Sequence, residues 1–302
     1  MKHLIIFNNA AGEGKAKEYL PNVEYSFEGL DYEIHLTQRP GEATTFLKEY
    51  LSTHKEPVRV YACGGDGTIY ECVNGIYGHP NVELAVYAIG TGNDFVKVYG
   101  GKEKFNDLVK LIKGTPVEVD LTKIKSDHST TPYYSINVVN FGFDAVVGAV
   151  GNKYKIQGKK DPYSKALLPA ILTARFNKIN VYVDGEKISK KKMLLCTLAQ
   201  GQFVGGKFWC APRSKNDDGL IDICLLHTMS LFGFLGILTP YTNGQHFDLK
   251  KYEKKVVYRQ AKQVVVNSEK EFDVCVDGEM IRGKHFEAEI LPKALKFVVP
   301  AE

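Results

Sequence analysis

Val58-Arg59-Val60-Tyr61-Ala62-Cys63-Gly64-Gly65-Asp66-Gly67-Thr68 runs from an apolar stretch straight into a glycine-aspartate turn, and an amphipathic stretch over residues 68–77 follows it. Strand, turn and helix in that order make a phosphate-sized turn. Three glycines let backbone approach a polyphosphate with no Cβ in the way, a helix N-terminus aims N–H groups at negative charge, and Asp66 stands where Mg2+ or water would be held. A single glycine turn is often only a tight connection. This chain has a second, Gly90-Thr91-Gly92-Asn93-Asp94, directly after the apolar run 84–89. Two such turns at successive strand ends point to a nucleotide site.

Outward from these turns, residues 2–121 alternate apolar run, turn and amphipathic helix, which predicts an α/β fold. Strands are expected over 3–7, 32–36, 58–62, 84–88 and 117–119, and helices over 16–30, 42–51, 68–77 and 104–112, with Pro21 disturbing the first helix. Strands joined through helices favour a parallel sheet, whose ligands gather beyond its carboxyl ends. Asn8, Thr37, Gly64 and Gly90 all follow such ends. After Thr122 the pattern changes to short β-rich runs separated by Gly, Asn and Asp, as at Asp184-Gly185, Asp218-Gly219 and Asp277-Gly278. That spacing predicts an antiparallel sandwich or barrel, with strands over 133–138, 179–183, 193–199, 220–225, 256–258, 261–266, 272–276 and 286–291. The reading is therefore an N-terminal parallel-sheet, three-layer nucleotide-binding domain over 1–125 and an antiparallel β-sandwich domain over 126–302. The last residues are expected to return to the first domain.

Composition narrows the function classes. The 302 residues are 44% hydrophobic and carry a net charge of +4, enough for sizeable cores and too little charge for a dedicated nucleic-acid binder. No DNA-reading helix or zinc module is present, and aromatics are not interleaved with the basic runs. No stretch reaches the ~18 apolar residues of a membrane span, and residues 1–8 run into a turn too early for a signal peptide, so the cytosol is expected. The six cysteines have no metal-ligand spacing and read as reduced and buried. Lysines cluster over 153–165, 190–192 and 250–255, as solvated faces or as surfaces for anionic head groups or nucleotide phosphates. Residues 231–238, Leu-Phe-Gly-Phe-Leu-Gly-Ile-Leu, are too short to span a bilayer; they fit a buried helix capping the sheet or a lipid contact.

Asp66, Asp94 and Asp120 each fall at or just past a predicted strand end of one sheet, so folding brings three carboxylates within reach of a Mg2+ site. Helix capping is the competing reading for Asp94 and Asp120. Asn8-Asn9-Ala10-Ala11-Gly12 ends the first strand where a phosphate or ribose contact belongs, although it lacks the ending of a Walker loop and the Rossmann spacing. Thr37 has a hydroxyl for the nucleotide. Asp217-Asp218-Gly219 and Asp277-Gly278-Glu279 each fit a metal or catalytic turn and equally a plain hairpin.

Taken together, these residues resemble the bacterial diacylglycerol kinase-like lipid kinases, relatives of sphingosine and ceramide kinases. The resemblance rests on residues 8–12, on Gly64 to Thr68 (Gly64, Gly65, Asp66, Gly67, Thr68) with Glu71 and Asn74-Gly75, and on Gly90-Thr91-Gly92-Asn93-Asp94-Phe95. It continues through Gly142-Phe143-Asp144-Ala145, Pro212 with Asp218-Gly219, Gly244-Gln245-His246 and Asp277-Gly278-Glu279, and so covers nearly the whole chain. It implies ATP as donor, Mg2+ as cofactor, and transfer of the γ-phosphoryl to a lipid hydroxyl, foremost that of diacylglycerol, giving phosphatidic acid. In the same terms Asp277 is implied as general base and Asp66, Asp94 and Asp120 as the catalytic Mg2+ network. Asn8 to Gly12, Thr37, Gly64 to Thr68, Glu71, Thr91, Asn93 and Glu279 are implied as nucleotide contacts, and Asp144 as a substrate contact. Asp218, with the backbone carbonyls of Lys215 and Leu220, is implied as a structural Mg2+ site. The resemblance also implies peripheral contact at the inner face of the membrane and leaves a homodimer open. Asn9 stands where the family usually has proline, and Tyr70 where it usually has asparagine. Two other readings stay open: an NAD kinase-like phosphotransferase, and a non-catalytic nucleotide- or lipid-binding protein.

Overall fold

In the computed structural model, residues 1–160, 165–166, 169–171, 177–189 and 192–302 are described, which leaves Lys190 and Lys191 of the second lysine cluster outside the described residues. The chain divides into two units, Met1–Leu121 with Pro292–Glu302, and Thr122–Leu291.

In the first unit, β1 (Lys2–Asn8), β2 (Tyr32–Thr37), β3 (Val58–Gly64) and β4 (Val82–Ala88) are parallel neighbours in the order β2-β1-β3-β4. The far end of β14 (Glu279–Val299) joins this sheet, with Lys296 opposite Glu83 and Phe297 opposite Leu84. Every residue of β3 is buried, as a parallel strand covered on both faces requires. Four helices accompany the strands: α1 (Leu20–Phe27), α2 (Glu42–Thr53), α3 (Asp66–Ile76) and α4 (Leu108–Ile112). Two expected helices are shorter than predicted, for local reasons. Residues 16–19 form a 3-10 turn, and α1 starts only at Leu20, where Pro21 occupies the first turn and its missing N–H costs nothing. The helix expected over 104–112 splits into a 3-10 turn over Lys104–Asn106 and α4, because the Asp107 carboxylate accepts the Lys110 N–H at 3.1 Å and restarts the helix.

The second unit is an antiparallel β-sandwich. Its main strand order is β12-β11-β10-β7-β13-β14, from β12 (Val256–Ala261), β11 (Ile221–His227), β10 (Met193–Ala199), β7 (Val138–Gly142), β13 (Gln263–Val276) and the first part of β14. A hairpin joins β5 (Thr115–Ser126) to β6 (Ser129–Ser135), so the polar residues 127–128 form its turn. The pair β8 (Asn180–Val183) and β9 (Glu186–Lys187) extends from β13. The second unit also carries the helices α5 (Phe143–Ile156) and α6 (Leu231–Thr242). The sequence predicts one strand over 133–138, but the chain breaks it into β6 and β7. The N–H groups of Ile136 and Asn137 turn to the Asp277 carboxylate instead of a ladder partner.

Candidate functional site

The two glycine turns are built on each other. The Gly90 N–H donates to the Gly64 carbonyl at 2.9 Å, and a Cβ on Gly90 would collide with the Gly65 Cα. A Cβ on Gly64 would likewise strike the Thr68 side chain. Asp66 opens α3 and points both carboxylate oxygens at the second turn, accepting the Asn93 N–H at 2.9 Å and the Asp94 N–H at 2.8 Å. Asn93 is fully buried in the left-handed conformation, φ 53°, and its amide donates to the Gly64 carbonyl at 3.0 Å. The first loop meets the same place. Asn8 donates from its amide to the Thr68 hydroxyl at 2.9 Å and accepts the Ala10 N–H, also at 2.9 Å, through its side-chain oxygen. The carboxyl ends of β1, β3 and β4 therefore converge beside the N-terminus of α3, which is an anion-binding arrangement.

Other predicted nucleotide residues have different surroundings. Thr37 is buried, with its hydroxyl 3.5 Å from the Phe7 carbonyl. Thr91 is exposed on the second turn, and Glu279 is exposed at the start of β14. Glu71 has packing partners: its carboxylate caps α2, accepting the Gly41 N–H at 2.8 Å and the Ala43 N–H at 3.0 Å. One turn into α3, it serves the orphan donors of the neighbouring helix.

Asp66, Asp94 and Asp120 each have partners of their own. Among the described residues no three His, Cys, Asp or Glu side chains are grouped to hold a metal ion. Asp94 pairs with Lys97 at 2.6 Å, while Asp120, fully buried, accepts the Lys293 N–H at 2.7 Å. Asp66 and Asp94 do share one small space, since a Cβ on Gly92 would strike the Asp66 carboxylate and lie 3.9 Å from Asp94 Oδ2. Two carboxylate oxygens suit Mg2+, which takes one or two protein carboxylates and fills its octahedron with water and phosphate oxygens.

In the second unit, Asp218 accepts the Leu220 N–H at 3.1 Å and the Gln260 amide at 3.2 Å, and the Leu220 carbonyl accepts the Gln200 amide at 3.0 Å. Beside it is a residue that motif reading passed over. Asp222 is buried on β11 and accepts the Tyr258 hydroxyl, and burial, with Asp218 adding negative charge, pushes its carboxyl up to about 6. An aspartate amid the apolar Ile221-Asp222-Ile223 was the available signal. Asp218 on the turn and Asp222 in β11 bring two carboxylates near one another, oxygen donors of the kind a hard cation takes.

Asp277 occupies the hairpin turn between β13 and β14 with φ 49° and is buried. Its Oδ1 accepts the Ser135 hydroxyl at 2.7 Å, the Asn137 N–H at 3.1 Å and the Val138 N–H at 2.9 Å, and its Oδ2 accepts the Ile136 N–H at 2.8 Å. Burial pushes this carboxyl up to about 6 while the four donors pull it back down. The carboxyl therefore titrates nearer neutrality than an ordinary aspartate. Sequence reading missed Ser135 and the backbone of 136–138, whose signal was only a break in β alternation. Asp144, at the first turn of α5, accepts the Tyr241 hydroxyl at 3.1 Å, and burial raises its carboxyl to about 6. All six cysteines are free and buried, and burial pushes the Cys275 thiol up to about 12. Such thiols are inert.

A parallel-sheet unit with paired glycine turns, followed by an antiparallel sandwich, is the two-domain fold of the diacylglycerol kinase-like class of phosphotransferases. Residues 2–124 match the diacylglycerol kinase catalytic domain, and residues 137–299 match the YegS C-terminal NAD kinase beta sandwich-like domain. The chain belongs to the diacylglycerol kinase-like lipid kinase family of bacteria, and it is a lipid kinase. It is 29% identical to a diacylglycerol kinase of Bacillus subtilis (strain 168) over 286 residues, covering 91% of this chain and 88% of that one. A diacylglycerol kinase of Staphylococcus carnosus (strain TM300) is 28% identical, with 91% of this chain and 87% of that one covered. The crystal structure of a diacylglycerol kinase from Bacillus anthracis str. Sterne shares the fold, with a TM-score of 0.70 at 23% identity over 99% of this chain and 96% of that one.

Proposed function

We propose that this lipid kinase transfers the γ-phosphoryl group of ATP to the free hydroxyl of diacylglycerol, giving phosphatidic acid. The observation that carries the reading is the Asp277 carboxylate. Oδ1 is saturated by three donors and Oδ2 holds only one, so Oδ2 keeps a lone pair for the acceptor proton. As the hydroxyl oxygen bonds to the γ-phosphorus, its proton passes to Asp277 Oδ2 and the bond to the β–γ bridging oxygen breaks, releasing ADP. The turns 64–68 and 90–94, with the loop 8–12, hold the phosphates through backbone N–H groups at the α3 N-terminus. Bound by Asp66 and Asp94 with water and phosphate oxygens, Mg2+ would neutralise charge on the transferring group. Asp120 acts as a positioning residue through Lys293. In the second unit, Asp218 and Asp222, with the carbonyls of Lys215 and Leu220, would hold a structural cation. Asp144, with Tyr241 donating to it, lies among the residues proposed for acceptor binding. The relatives named as diacylglycerol kinases support this acceptor, a molecule that resides in membranes.

The test offers ATP and Mg2+ with diacylglycerol, other hydroxyl lipids or NAD, and reads products by mass spectrometry. A gain of one phosphoryl group on diacylglycerol is expected. Phosphorylated NAD without lipid turnover overturns the proposal in favour of an NAD kinase-like activity.

A further inference from the structure

Helix α6 is divided between two solvents. Phe234, Ile237 and Tyr241 point into the sandwich core, where Phe234 meets the Phe143 ring edge-on at 5.1 Å between centroids. The opposite side presents Leu231, Phe232 and Leu235, with Phe232 at 86% exposure. The helix has no charged residue from end to end. An outward face with three large apolar side chains and no charge is costly in water, and it marks a contact surface.

The charge stands beside the helix. Lys250, Lys251, Lys254 and Lys255 are all exposed, and Tyr252 in their midst is buried against α6, its hydroxyl 3.4 Å from the Gly233 carbonyl. A Cβ on Gly236 would lie 2.8 Å from that same hydroxyl, so the lysine segment is seated on the helix by a close fit. Lys255 donates to the Thr228 carbonyl at 3.2 Å, which ties this segment to the residues just before α6. Four exposed lysines thus stand with Glu253 in one short segment, and Asp248 just before it is engaged by Arg213 at 3.1 Å.

We infer that this face docks on an anionic lipid bilayer, with Phe232, Leu231 and Leu235 entering the acyl boundary and the lysines meeting phosphate head groups. Apolar prongs beside a single-sign basic rim are what an interfacial helix needs. A second copy is a poorer match, since a twofold contact through α6 would set the two lysine sets against each other. The inference rests on the reading that the acceptor is a membrane lipid, and it assigns the surface by which the protein reaches it.

The full chain is centrifuged with vesicles of phosphatidylcholine alone or mixed with phosphatidylglycerol, at low and high salt. Sedimentation is expected with the mixed vesicles at low salt and is expected to fall at high salt, where the screening length shrinks from ~10 Å to ~3 Å. F232E/L235E should lower partitioning roughly tenfold or more, and each Lys→Glu change at 250, 251, 254 or 255 by about fivefold or more. F232W keeps a large apolar side chain, and its fluorescence should be quenched by brominated acyl chains, a readout that does not depend on a disruptive variant. Turnover of a short-chain diacylglycerol dissolved as monomer tests the kinase reading separately and should be the same in F232E/L235E as in the unaltered chain. Equal sedimentation of the two proteins, no quenching of F232W, or a dimer that F232E/L235E dissociates would each overturn the inference.

Discussion

At the residue scale the protein depends on carboxylates whose charge is decided by their surroundings. Asp277 is buried and its carboxyl is raised to about 6, yet four donors aim at it, so both protonation states are within reach near neutrality. A base must be ionised, so turnover should rise with pH through about 6 and level off above it. Asp277→Asn should lower kcat by about 10²–10⁴-fold while leaving the KM for ATP unchanged, and should abolish that pH limb in a rate profile. Stability follows the opposite sign. A carboxyl raised in the folded state favours its protonated form there, so its contribution is present below its ordinary value and is lost as pH rises through about 6. Urea unfolding of Asp277→Asn across that window should therefore show a shallower decline than the unaltered chain.

Among the elements, the phosphate turns work as a pair. Neither keeps its shape alone, because Asp66 on the first holds the backbone of the second while Gly90 on the second lies against Gly65 of the first. Gly90→Ala should push the turns apart, weaken nucleotide binding at least tenfold by calorimetry, and cost roughly 1–3 kcal/mol in urea unfolding as an overpacked contact. A comparable coupling joins α2 to α3 through Glu71. Motif matching reads Glu71 as a nucleotide contact because it stands one turn into the signature helix. Only the packed neighbour reveals that its two oxygens serve Gly41 and Ala43.

Over the whole molecule, the chain leaves the first unit through β5 and comes back to it through β14, so residues far apart in sequence finish one sheet. Phe297 shows what that return contributes: it is fully buried and meets the rings of Phe95, Tyr99 and Phe105 at 5.0, 5.2 and 5.8 Å between centroids. Phe297→Ala should cost about 3–5 kcal/mol in chemical unfolding, and the loss should also weaken nucleotide binding, since β14 lies beside β4 and β4 leads into the second turn. The amino-acid sequence by itself determined the alternating strands and helices, most of the sandwich strands and both glycine turns, because these follow from local periodicity and from glycine at turns. Tertiary structure alone decided what each carboxylate touches. Asp66 accepts two backbone N–H groups of the second turn, Asp222 is buried near Asp218, Ser135 and the 136–138 backbone hold Asp277, and Phe232 faces solvent while Phe234 does not. Hydrogen-bond direction and burial depend on groups more than a hundred residues away, as Ser135 and Asp277 are, and no local pattern encodes that distance.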